Sequence, residues 1–99
     1  MGLLVKASAT QSQPTNAFKV HVDHKGIVYV NAQATGTGTW TAIFNIAAIT
    51  ENGDIGNPRT FSISNSSPKL DQELEIGVHS FIGWWTITGT ANAVGTVAG

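Results

Sequence analysis

Cysteine is absent from this chain, and charge is scarce. Without cysteine there can be no disulfide, no thiolate metal site and no cysteine nucleophile. Charged residues make up 11% of the sequence, against a usual ~25%. Two long stretches, 26–50 and 76–99, hold no Lys, Arg, Asp or Glu at all. Long hydrophobic runs are missing too. Nothing approaches the ~20 apolar residues of a spanning helix, so no membrane span is expected. The opening MGLLVKASATQSQ has only Leu3, Leu4 and Val5 in succession, which is too short for a signal-peptide core. Five basic residues scattered over the chain do not make the clustered Lys/Arg footprint of a nucleic-acid surface.

The charge that remains is unevenly placed. Residues 1–25 hold Lys6, Lys19 and Lys25 against Asp23. Residues 51–75 hold Arg59 and Lys69 against Glu51, Asp54, Asp71, Glu73 and Glu75. Thr, Ala, Gly, Asn and Ser replace the missing charge, and 41% of residues are hydrophobic. That composition suits a folded domain rather than a disordered chain.

Alternation with period two recurs along the chain, and no segment sustains a helical period. In 70–78, Leu70, Gln72, Leu74, Ile76 and Val78 oppose Asp71, Glu73, Glu75 and Gly77. In 59–64, Phe61 and Ile63 oppose Thr60, Ser62 and Ser64, and 18–23 alternates in the same way. Segments 27–34, 39–49 and 81–90 are apolar or Thr-rich on both faces, so both faces are expected to be covered. Turn residues lie between these runs at His24-Lys25-Gly26, at Gly36-Thr37-Gly38 (which could bend a strand or link two), and at Glu51–Pro58, Asn65–Pro68 and His79-Ser80. The first and last of these are short enough for hairpins joining 18–23 to 27–34 and 70–78 to 81–90. About seven short antiparallel strands in ~100 residues are the pattern of an immunoglobulin-like β-sandwich, with a small β-barrel as the alternative. The expected organisation is an N-terminal strand or extended arm over 1–16 and one all-β domain over 17–99.

Few residues group in a way that carries chemistry. His21, Asp23 and His24 are the nearest approach to a metal site, yet no fixed third ligand accompanies them. The Asp71, Glu73 and Glu75 stripe has like-facing residues ~7 Å apart. Catalytic carboxylates flank a cleft, whereas this stripe reads as the wet face of a strand. Glu51–Asn57 has the oxygen side chains of a calcium loop but not the EF-hand order. No nucleophile elbow or phosphate loop is present. Neither a cofactor nor an enzymatic activity is expected.

The aromatic residues are the remaining feature. Trp84 and Trp85 are adjacent, so on a strand they point to opposite faces. Trp85 alternates with Phe81 and Ile87 and is assigned to the core. Trp84, with Ile82 and Thr86 on its face, is the candidate for contact with a partner, and Trp40 and Tyr29 could join it. The expected function is that of a non-catalytic structural or assembly protein acting through protein–protein contacts. Self-association or a larger assembly is expected, with a virion component such as a capsid-decoration protein as the concrete case. The expected location is then the virion or the cytoplasm of the producing cell. The alternative is an extracellular carbohydrate-binding or adhesion module that uses an exposed Trp face.

Overall fold

The computed structural model describes residues 3–11, 18–21, 26–49, 52–76 and 80–98. It is a compact antiparallel β domain with six strands: β1 Leu3–Ala9, β2 Phe18–His21, β3 Gly26–Ala48, β4 Arg59–Ser64, β5 Lys69–Ile76 and β6 Ser80–Ala98. The hydrogen-bonded path runs β1-β6-β3-β4, with β2 added to β6 and β5 added to β3.

Two of these strands are unusually long. β3 has 23 residues and β6 has 19. A straight strand of β3's length would reach about 75 Å at ~3.3 Å per residue, yet the longest molecular dimension is 41 Å. The pair must therefore fold across its middle. The bend lies where the β3–β6 register slips, between Thr37 and Thr41. Gly38 and Gly89 occupy positive φ there, at 68° and 87°, a region that only glycine enters without a steric penalty. At Gly89 a Cβ would also stand 2.7 Å from the Thr39 carbonyl oxygen.

Each side of the bend is a four-stranded half. One half comprises β1, β6 from 91 onward, β3 up to 35, and β5. The other comprises β2, β6 from 80 to 88, β3 from 41 onward, and β4. The inner faces share one core. Val28, Val30, Ala32 and Ala34 continue in phase into Trp40, Ala42, Phe44 and Ile46, and all are buried in a single cluster with Phe61, Ile63, Leu74 and Trp85.

Two contacts tie the halves together, one at Phe44 and one at Trp85. A Cβ on Gly95 would lie 2.7 Å from the Phe44 ring, so the ring of one half sits directly on the bare backbone of the other. Within its own half, Trp85 stacks on its cross-strand neighbour Phe44 with ring centroids 4.8 Å apart. Its Nε1–H donates to the Ala7 carbonyl of β1 at 3.3 Å.

Several local expectations meet a different arrangement. Segments 27–34 and 39–49 are one strand rather than two, and 81–90 continues through the tail to Ala98. Among the described residues neither expected hairpin pairing is present, because β2 pairs with β6 and β5 pairs with β3. β3 and β6 occupy each other's inner edges along their whole length. The short strands can therefore attach only outside them, on whichever half is free. Residues 3–9 are an edge strand of the sheet itself, with Ala7 in the core. The rest of the expected arm, 12–16, lies outside the described residues.

Candidate interaction surface

The outer faces of the two halves differ. On the half containing β2 and β4, the outer face of β3 and β6 is buried at the end away from the bend and exposed nearer to it. Ile82 is 0% exposed and Ala47 1%. Asn45 is buried with them, and its Nδ2 donates to the Ile43 and Trp84 carbonyls and to Thr86 Oγ1 at 3.2–3.3 Å. A buried amide needs such partners, since leaving it unpaired would cost about 1–3 kcal/mol. Trp84 lies on this face and is half-buried, and Thr86 beside it is exposed.

On the half containing β1 and β5, the outer face is open. Ile27 and Tyr29 are 49% and 42% exposed, although charge-poor strands were expected to be covered on both sides. Antiparallel pairing lines its side chains in rows, because directly opposed residues share a face. One row is Asp71–Asn31–Thr96–Lys6, from β5 across β3 and β6 to β1. The next row toward the bend is Lys69–Gln33–Val94–Ser8. Away from the bend, Glu73 and Tyr29 lie level with Ala98, and Glu75 pairs with Ile27.

The centre of this face is uncharged, with exposed apolar groups. Its β5 edge carries Asp71, Glu73 and Glu75, all exposed, and its β1 edge carries the exposed Lys6. Tyr29, Asn31, Asp71, Glu73, Thr96 and Ala98 border an open depression of about 420 Å³. Asn31 Nδ2 donates to Asp71 Oδ1, which fixes that carboxylate against the floor.

The five residues singled out for contact are thus not one patch. Tyr29 lies on the open face, while Trp84 and Thr86 lie on the outer face of the other half. Trp40 is 3% exposed. Its ring packs where a Cβ on Gly36 would stand, 2.8 Å away. Its backbone exchanges hydrogen bonds with Asn65, through Asn65 Oδ1 at 3.2 Å and the Asn65 N–H at 3.3 Å. Trp40 therefore belongs to the core, and Ile82 is equally buried; neither can touch a partner.

Of the candidate metal residues, Asp23 and His24 lie outside the described residues. His21 is the last residue of β2, opposite Ser80. No group of three His, Cys, Asp or Glu is placed to hold a metal among the described residues, and no helix there is long and apolar enough to cross a membrane. The loop 52–58 is closed on β3 by the Ile49–Ile55 bridge and by the Gly56 N–H donating to the Ala48 carbonyl at 2.9 Å.

Sequence reasoning passed over Ile27, Asn31 and Thr96 as contact residues. The signal was available, since all three alternate with core residues. What it lacked was any indication of which half would be left uncovered. No protein-family model matches the chain, and no curated protein matches it in sequence.

Proposed function

We propose that this chain is a non-catalytic structural or assembly protein that works through protein–protein contacts. Its concrete form would be a virion component such as a capsid-decoration protein, found in the virion or the cytoplasm of the producing cell. In this reading the folded-over sheet is a two-layer sandwich of the immunoglobulin-like class, to which β3 and β6 each contribute twice. The observation that carries the proposal is the open face: an uncharged centre with Ile27 and Tyr29 half-exposed, bordered by charged edges. An apolar, aromatic-bearing centre with a polar rim is the anatomy of a protein interface. Light scattering over a concentration series tests it. A defined oligomer that dissociates on dilution supports the reading, whereas a persistent monomer that binds no particle or protein removes it.

A second reading has its own observation. The depression beside Tyr29 combines an exposed aromatic ring with Asn31, Asp71 and Glu73, the pairing of apolar surface and planar polar groups that holds a sugar ring. The aromatic residue of a glycan module would then be Tyr29 rather than Trp84. Glycan binding by the monomer, lost in Tyr29→Ala with the fold intact, would favour this alternative.

A further inference from the structure

One row of the open face carries opposite charges at its two ends, and we propose that the face pairs with the same face of a second copy of this chain, about a two-fold axis parallel to its strands. The inference rests on the assembly reading and names the partner and the geometry. Lys6 and Asp71 stand in one row at opposite edges of the face. Three strand spacings separate them, about 14 Å, too far for an ion pair within the chain. A two-fold axis along the strands exchanges the two edges while keeping each row level. It places Lys6 of one copy over Asp71 of the other, twice per dimer.

The competing two-fold axis, perpendicular to the strands within the face, would lay β5 over β5. With that axis level with Glu73, Glu73 would oppose its own copy and Asp71 the Glu75 of the other, and like charges brought together disfavour association. The strand-parallel axis avoids this. Lys69 meets the neutral Ser8, its counterpart in the next row. At the centre, Tyr29 meets Ala98 of the second copy, and Gln33 meets Val94. Large side chains thus face small ones, as two sheets packed ~10 Å apart require. The rim pairs stay close to solvent and add little affinity, but they fix orientation and register.

Charge reversal tests this without disturbing the core, because Lys6 and Asp71 are both exposed. Sedimentation velocity should show a dimer for the wild-type chain. Lys6→Glu and Asp71→Lys, each alone, should weaken it roughly tenfold or more. An equimolar mixture of the two variants should form the dimer that neither forms alone, and the double variant should regain self-association. Circular dichroism and thermal midpoints would confirm that every variant is folded. Wild-type association unchanged in both single variants would overturn this interface and leave the assembly reading standing. A wild-type monomer that binds another protein or particle would also overturn it, with the same consequence. A wild-type monomer that binds glycan alone would overturn both.

Discussion

Trp85 is completely buried, and its contacts reach two strands besides β6. The ring stacks on Phe44 of β3, which itself lies over Gly95 in the opposite half, and the indole N–H holds the Ala7 carbonyl of β1. Trp85→Ala should therefore cost about 3–5 kcal/mol, as large aromatic truncations in cores do. Trp85→Phe keeps the stack but removes the donor, and should cost about 1–3 kcal/mol. Urea titrations of the three proteins check both values, and a loss below about 1 kcal/mol in Trp85→Ala would mean that the halves are held elsewhere. Gly95 answers to the same ring. With a Cβ only 2.7 Å from Phe44, Gly95→Ala should destabilise by about 1–3 kcal/mol through overpacking. Phe44→Leu should relieve part of that loss, so the double variant should be less destabilised than the sum of the two singles. Strict additivity would show that Gly95 and Phe44 are not in contact.

Among the elements, β1 is structural rather than accessory. It pairs with β6 from Leu3 to Ala9, buries Ala7 and accepts the Trp85 hydrogen bond. Deleting residues 1–9 should expose Trp85 and one edge of β6 and leave the chain unfolded or aggregating. The check is the dispersion of its amide NMR spectrum, and a well-dispersed spectrum would return these residues to the status of a detachable arm. The elements most legible in the sequence were β4 and β5. One face of each is wet, so Phe61 and Ile63, or Leu74 against Asp71, Glu73 and Glu75, alternate without ambiguity. Parity was legible in the long strands too, since the even residues 28–34 and 40–46 fall on the core side. Their continuity was not. Gly36-Thr37-Gly38 allowed either a bend within one strand or a link between two, and the chain bends here, with the β3–β6 ladder resuming at Thr41. Pairing was equally hidden, because adjacent strands normally pair and here β3 and β6 leave only their outer edges to the rest. The candidate surface was half legible. Tyr29 and the acidic stripe could be assigned outward from alternation alone, but the burial of Ile82 and Trp40 depends on tertiary covering that alternation does not encode.

At the scale of the whole molecule, the first strand is paired with the end of the last, Leu3 opposite Ala98. The central ladder joins residues 29–48 to 81–98. Among the described residues, β3–β4 is the one strand pairing of sequence neighbours. Almost every stabilising contact therefore requires a long loop to close before it forms, and the loop-closure entropy precedes the reward. The bend sharpens this. Neither half has a buried core until the other folds onto it, because Phe44 meets Gly95, and Trp85 the Ala7 carbonyl, only across the fold. The two halves should consequently fold as one cooperative unit, in milliseconds to seconds, as domains dominated by non-local β pairing do. Stopped-flow refolding followed by tryptophan fluorescence, with Trp85 as the buried reporter, should give one main exponential phase. Gly89→Ala should destabilise the bend, where φ is positive and the Thr39 carbonyl stands close, and both halves should lose stability together. Hydrogen exchange would decide the point: separate protection levels for amides on the two sides of the bend would show that each half is a folding unit of its own, and a common level would show that the fold-over is what makes either of them stable.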